Sequence, residues 1–406
     1  MTRGSRTVLA VVAAALLASV GWRLVQVTRA DELALRDPEA ALALEPGHPR
    51  ALLALAWRQY RQGDDAAASA TARRLLQVEP GQGAAFAVLA LAAERQGADN
   101  ATELMEIALR RAPRDRELRT QAAAAAFRAS DLATGLAHLD ALLRLAPERR
   151  ETLFPALVQQ AADPRFGDAL AEVLATSPRW RRGFLRWLER EGSPEALDAV
   201  YGGLQQRDSV SDAEVARWLD RMLSDGRWGQ AYAHWFSRLD QSGEPLPPLY
   251  NGGFERDPSQ LGFDWRNTRA AGVFTDLEPA RGAGGERAAH FHFIGREAAM
   301  GNLRQPLLLA PGQYRLSLRA RAEFLHSEKG WYWTIRCVPG AEVGRLGPLQ
   351  GSFPWETREA EFSIPEGCAG QWLELRNPAV AGSRQTSGDL WIDDMAITAL
   401  QAPSAG

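Results

Sequence analysis

The chain has 406 residues, of which 46% are hydrophobic and 24% are charged, which is typical of a globular protein with room for two or three domains. Its formal net charge of −3 argues against a nucleic-acid-binding protein, which would carry a strongly basic domain. The two cysteines, Cys337 and Cys368, are too few for a structural zinc site. In an exported protein they are the one pair able to form an intrachain disulfide; otherwise they are two small hydrophobic residues.

The N-terminus has the pattern of an export signal. Arg3 and Arg6 precede an apolar run of 15 residues, Val8 to Trp22, and Arg23 follows it. This length lies between a signal-peptide core and a full membrane span of about 20 residues. We predict a signal anchor over residues 1–30, which forms a single membrane helix in the inner membrane and leaves the rest of the chain in the periplasm. The alternative is cleavage of a signal peptide and release into the periplasm.

A repeat begins after this segment. Alanine- and leucine-rich stretches are each followed by a proline, at Pro46, Pro80, Pro113 and Pro147, which lie 34, 33 and 34 residues apart. A proline ends a helix because it lacks the amide donor that the next turn needs. Period and composition resemble the tetratricopeptide repeat, which implies stacked helical hairpins in an all-α solenoid over residues 31–147.

The repeats are expected to continue in degenerate form over residues 148–245. Ser193-Pro194 is typical of a helix start, and Ser211 with Glu214 predicts a capping box. Three prolines between residues 243 and 248 mark the end of the helical region.

Arginines and aromatic residues near the helix ends suggest a protein-binding groove. Three arginines occupy equivalent positions of successive repeats, and aromatic residues lie on nearby turns: Trp57, Tyr60, Arg61, Arg95, Phe127 and Arg128. Our hypothesis is a basic ladder with aromatic steps for an acidic peptide or polymer. The alternative is that these arginines only complement the negative C-terminal ends of their helices.

The hydrophobic period changes to two in residues 249–400. Tyr314, Leu316, Leu318 and Ala320 alternate with polar residues, and the same alternation recurs in later segments separated by Pro-Gly turns. Many short alternating strands predict an antiparallel β-sandwich. Residues 401–406 are expected to form a tail.

Three motifs in this domain resemble carbohydrate-binding modules of the family 4, 9 and 22 type. They are Asn251–Glu255 followed by Phe263–Trp265, the strand after Pro311-Gly312, and the closing segment Gly388–Met395. The resemblance implies a galactose-binding-like jelly roll. It also implies a structural calcium ion near the first and last strands, with Glu255 and Asp393 at the matching positions. Calcium needs six or more oxygen ligands, and the motifs do not supply the others.

Sugar binding requires an aromatic ring that stacks on a pyranose and polar groups that bind its hydroxyls. Strand alternation places such residues on sheet surfaces and keeps Trp331 and Trp333 in the core. The predicted glycan-binding residues are Trp372, Tyr332, Arg336, Glu374, Arg376 and Arg319. His290 and His292 project from one strand face, but no third metal ligand is evident in the sequence.

No catalytic motif is found, and the sequence therefore predicts a non-enzymatic scaffold. The repeats would bind a protein partner, the sandwich would bind a polysaccharide, and no nucleic acid is expected. The domain combination resembles repeat proteins of bacterial exopolysaccharide and envelope systems, which implies a role in exopolysaccharide synthesis or export. The alternative is an envelope assembly factor that binds only proteins.

Overall fold

A computed structural model describes residues 3–239 and 246–400, with side chains from residue 16 onward. The chain divides into two compact units, residues 1–187 and 188–406. The predicted succession of helical repeats and a β-sandwich is confirmed. The described α-helices are α1 Arg3–Leu33, α2 Pro38–Leu44, α3 Pro49–Arg61, α4 Asp65–Val78, α5 Gly83–Arg95, α6 Ala101–Arg111, α7 Arg116–Arg128, α8 Leu132–Leu145, α9 Arg150–Gln160, α10 Pro164–Ala175, α11 Arg181–Glu191, α12 Pro194–Gln206, α13 Asp212–Ser224 and α14 Trp228–Phe236.

Helices of the first unit pair as the repeat predicts, α3 with α4, α5 with α6 and α7 with α8. Each repeat proline lies two residues beyond the last helical residue, as Pro80 does after α4. The turn inside each hairpin needs a left-handed residue, which is Gly63 (φ 85°), Gly97 (φ 66°) and then Ser130 (φ 59°). Only the third repeat therefore places a side chain where glycine is favoured.

The first helix joins the predicted anchor to the first repeat. Ala30 and Ala34, at the end of α1 and just beyond it, are buried together with Ala41 and Ala51. The C-terminal end of α1 thus packs as the partner of α2 in the truncated first repeat. Among the residues described, no helix combines the length and the apolar character needed to cross a membrane. Residues 8–15 of the predicted apolar run lie outside the described side chains.

The second unit contains two five-stranded antiparallel sheets. Their orders are β1-β4-β9-β6-β7 and β2-β3-β10-β5-β8. The strands are β1 Arg266–Asn267, β2 Val273–Pro279, β3 Arg287–Glu297, β4 Met300–Leu307, β5 Gly312–His326, β6 Trp331–Val338, β7 Glu342–Leu349, β8 Gly351–Ile364, β9 Gly370–Arg376 and β10 Gln385–Ala399.

The core of the sandwich lies between the inner faces of these sheets. Leu316, Leu318 and Ala320 of β5 are buried, which confirms the predicted alternation. Trp331 and Trp333 are both 0% exposed and pack against Phe293, Phe291 and Trp265. Burial on alternate positions leaves the intervening polar residues for the outer faces.

The last helices share aromatic packing with the sandwich. The capping box of Ser211 and Glu214 starts α13 as predicted, and Trp228 and Trp235 of α14 are each 2% exposed. Both indoles contact Phe263 in the segment that precedes β1, with ring centroids 6.2 and 5.7 Å apart. The second unit thus contains the last helices together with the strands.

Candidate binding surfaces

Pairing of β6 with β9 gathers five of the six predicted glycan-binding residues. Tyr332 lies opposite Arg376, and Arg336 lies opposite Trp372, with Glu374 between them on β9. Directly opposed residues of antiparallel strands project to the same side of the sheet. We call these five residues the β6–β9 face. Four of them, all except Tyr332, line a cavity of about 270 Å³ that the Pro339-Gly340 turn also lines.

Arg319 belongs to a different surface, which corrects its predicted place beside Trp372. It lies on β5 in the other sheet. Its guanidinium donates a hydrogen bond of 2.7 Å to the carbonyl oxygen of Gly282 and lies 5.5 Å from the centre of the Trp355 ring. The alternation of residues along a strand predicts on which side of the strand a side chain projects, but it does not predict which sheet the strand joins.

Glu374 is the most buried residue of this face. The residue is 4% exposed, and its Oε2 accepts hydrogen bonds of 2.8 and 2.7 Å from the guanidinium of Arg376. Arg304 of β4, which lies opposite Glu374 in the sheet, approaches the other carboxylate oxygen at 3.7 Å. Glu374 thus holds the Arg376 guanidinium in place, and its predicted contact with a sugar stays a prediction.

Trp372 is half-buried between the sheet and the last helix. The Arg304 guanidinium lies 4.4 Å from the centre of its ring, and the Trp228 ring meets it edge to face at 5.9 Å. Beside it lies a second cavity of about 550 Å³, lined by Trp372, Trp228, Arg304, Arg266 and Asp220 among others. Sequence reasoning missed Trp228 and Arg304, because nothing local to either residue shows that helix and sheet meet there.

The two cysteines form a disulfide that closes one end of the β6–β9 face. Cys337 is in β6, and Cys368 precedes β9, 31 residues later. The bond encloses the Pro339-Gly340 turn in its loop and holds the ends of both strands together. It therefore fixes one wall of the smaller cavity.

Glu255 and Asp393, the predicted calcium ligands, bind the same loop. Glu255 Oε1 accepts the backbone N–H of Glu286 at 2.9 Å, and Asp393 Oδ2 accepts that of Gly284 at 2.7 Å. Asp393 Oδ1 accepts the N–H of Asp394 at 2.7 Å, and the burial of Asp393 raises its pKa. A calcium ion needs six or more oxygen ligands. Because backbone amides already donate to these carboxylate oxygens, the two residues fit a role in holding the loop better than a role as calcium ligands.

Two of the three predicted ladder arginines link successive repeats. Arg95 donates to the carbonyl of Tyr60 at 2.8 Å and to Asp65 at 3.0 Å, and it covers the Tyr60 ring at 3.7 Å. Arg128 forms a two-fold hydrogen bond to Glu94, which raises the pKa of its guanidinium. The predicted continuous basic ladder is therefore corrected, because these two arginines form hydrogen bonds and ion pairs that join neighbouring helices.

A smaller part of the predicted groove remains open around α3. Arg61 is exposed and has no hydrogen-bond or ion-pair partner among the described residues, and it lines a cavity of about 490 Å³ with Trp57 and Tyr60. These aromatic rings meet edge to face at 5.9 Å. Phe127 lies elsewhere, packed over Gly135 in its own hairpin and 6.1 Å from Phe166.

In comparisons with solved structures, the helical part and the β part of the chain are similar to two different kinds of protein. Over the helical part the chain is similar to a thermophilic tetratricopeptide protein of Thermus thermophilus, with 23% identity, coverage of 50% of this chain and 96% of that one, and a TM-score of 0.26. Over the β part it is similar to the carbohydrate-binding module TmCBM61, solved with β-1,4-galactotriose, with 19% identity, coverage of 38% and 100%, and a TM-score of 0.26.

A further match is the enzymatically active domain of tailspike protein 4 of bacteriophage CBA120, with 12% identity and a TM-score of 0.28. It covers 38% of this chain, but the chain spans only 22% of that protein. No protein-family model matches the sequence. No curated protein matches it either. The likeness is thus to tetratricopeptide proteins in the helical part and to carbohydrate-binding modules in the sandwich.

Proposed function

We propose that this protein is a non-enzymatic binding protein of the bacterial cell envelope, whose sandwich binds a glycan at the β6–β9 face. The observation that carries the proposal is the juxtaposition of Tyr332 and Trp372 with Arg336 and Arg376 across two paired strands. Half-buried aromatic rings offer stacking surfaces to a sugar, and the guanidinium groups donate hydrogen bonds to its hydroxyls.

The parts of this face have different roles in the proposal. Arg376 is held by the buried Glu374, so it loses little conformational freedom when a ligand binds. The Arg304 guanidinium already covers one side of the Trp372 ring, and the ring also lines the smaller cavity, where a ligand would meet it. Tyr332, opposite Arg376, extends the face along β6.

The helical repeats bind a segment of a protein partner in this proposal. Supporting features are the aromatic residues Trp57 and Tyr60 at an open cavity. Arg61 at its rim is exposed and has no ion-pair partner in the described part of the chain. An acidic side chain of the partner would find its counter-charge at Arg61, next to an aromatic surface for an apolar neighbour.

Anchoring in the inner membrane and a periplasmic location complete the proposal, with exopolysaccharide synthesis or export as the setting. The charged and apolar pattern of residues 3–23 supports export. So do the exposed apolar side chains of α1, such as Leu17 at 74% and Trp22 at 66% exposure. The disulfide is the form expected in an oxidising compartment. Release after signal cleavage is the alternative.

A second candidate function is protein–protein assembly without glycan binding. The packing of Trp372 on Trp228 favours it, because the face then already serves the contact between α14 and the sheet. In this case the ion pairs of Glu374 with Arg304 and Arg376 would only stabilise the contact between α14 and the sheet.

Glycan-array binding by the detergent-purified full chain distinguishes the two functions. The wild type should bind one glycan class, and Tyr332→Ala should weaken binding about tenfold or more, since a buried aromatic contributes about 1.5–3 kcal/mol. Phe274→Ala is the matched control, because Phe274 is an aromatic residue 60% exposed on β2 of the other sheet. Absence of binding to any glycan, or equal loss in both variants, would reject the proposed face.

A further inference from the structure

The outer face of the other sheet carries three metal-binding side chains at one point. His290 and His292 project from β3, and Asp389 lies opposite His292 on β10. Asp389 Oδ1 is 2.8 Å from His290 Nε2 and 2.7 Å from His292 Nδ1. One possible ligand atom from each of the three residues lies within 4.8 Å of the other two. This is the only such group of three or more His, Cys, Asp or Glu side chains among the residues that the structure describes.

We propose that His290, His292 and Asp389 form a binding site for a divalent first-row transition metal ion, with zinc as the ion that fits best. The ligands would be His290 Nε2, His292 Nδ1 and Asp389 Oδ1. Two imidazoles and one carboxylate are a ligand set that such ions accept, whereas calcium prefers oxygen ligands.

The surroundings of His290 hold its ring in a ligating orientation. Its Nδ1 is 2.9 Å from Glu278 Oε1 on β2, which is the carboxylate–histidine arrangement that fixes the tautomer of metal-bound imidazoles. Trp391 stacks on the same ring at 4.4 Å with an interplanar angle of 7°. The Trp391 indole N–H also donates to Glu278 at 3.0 Å, so the three side chains fix one another.

The spacing suits an ion after a small adjustment. Ligand atoms about 2.0–2.1 Å from a tetrahedral zinc ion lie roughly 3.3 Å apart. The two distances of 2.7 and 2.8 Å from Asp389 Oδ1 would therefore open by about 0.5 Å, which a side-chain rotation of the 28% exposed aspartate provides. All three ligands come from one sheet face, and His292 is 53% exposed, so a water molecule or an external ligand can complete the coordination.

Isothermal titration of the untagged, EDTA-dialysed full chain with ZnCl₂, in the presence of excess Ca²⁺, tests the site. We expect one equivalent of zinc to bind and His292→Gln to weaken its binding at least 100-fold; His292 is 53% exposed, so the variant should fold. His326→Gln is the control, since that exposed histidine lies outside the cluster and its ring nitrogen is 2.7 Å from the carbonyl oxygen of Phe324. Glu278→Gln should weaken binding about 10–100-fold through the orientation of His290.

Cobalt provides a second readout. Co²⁺ added to the wild type should give the visible absorption of an ion with nitrogen ligands, and zinc should displace it. The same absorption in His292→Gln, or the absence of stoichiometric zinc binding by the wild type, would overturn the proposal.

Discussion

The contact between α14 and β9 predicts that adding one methyl group at Gly370 destabilises the second unit. A Cβ atom built at Gly370 would lie 2.0 Å from Cδ2 and 2.1 Å from Cε3 of Trp228. Non-bonded carbons need about 3.5–4.0 Å, so helix and strand would have to separate by about 1.5 Å. Overpacking of this kind costs about 1–3 kcal/mol of unfolding free energy.

Hydrogen exchange at the β9 amides is the suitable measurement. It reports the free energy of opening for the second unit even when the first unit unfolds separately. Gly370→Ala should lower this free energy, while Gly202→Ala should raise it by about 0.5–1 kcal/mol, because Gly202 lies inside α12 with no atom within 4 Å of its added Cβ.

A double-mutant cycle isolates the contact itself. Trp228→Ala alone should cost about 3–5 kcal/mol, since it removes a buried indole. In that background Gly370→Ala should cost only a few tenths of a kcal/mol, because the added methyl group then meets open space. An unchanged cost of Gly370→Ala in both backgrounds would refute the packing of α14 on the sandwich.

Three further predictions concern single features. Replacing Cys337 and Cys368 by serine should lower the free energy of unfolding by about 3–4 kcal/mol, as judged by denaturant titration, because the disulfide closes a 31-residue loop. Burial lowers the pKa of His234, so the unfolded state binds its proton more readily, and stability should fall as the pH drops below about 6.5. The contribution of His234 to this pH dependence cannot exceed about 1.4 kcal/mol per pH unit. His234→Gln should therefore make stability depend less steeply on pH, and an unchanged dependence would contradict the assignment. Ser130→Gly should raise the melting temperature, with a gain of up to about 1 kcal/mol from relief of the left-handed backbone, whereas Gly97→Ala should lower it.

Local rules predicted the helices and strands well. Each helix-ending proline acts on its own neighbours in the chain, and the alternation of β5 reflects burial on one side of a single strand. The burial of Trp331 and Trp333 followed from the same rule. Such features depend on residues a few positions apart, so one sequence suffices to predict them.

Packing between distant elements was not predictable in the same way. The contact of Trp228 with Trp372 joins a helix to a strand 144 residues later, and neither segment alone indicates the other. One residue of the β6–β9 face, Trp372, consequently packs against a helix of the same chain. Arg304 and Glu374 become partners only because β4 and β9 are neighbours in the sheet.

The two histidines of β3 illustrate where the sequence stops being sufficient for a binding site. Their spacing places both imidazoles on one side of a strand, which the sequence shows. Asp389 lies 97 residues beyond His292 and becomes a third ligand only through the pairing of β3 with β10. The same pairing brings Trp391 onto the ring of His290. Strand register is a collective property of the sheet, since a shift by one residue would turn Asp389 to the opposite side. Functional sites built across strands therefore follow from topology, and their residues must be identified after the sheet order is known.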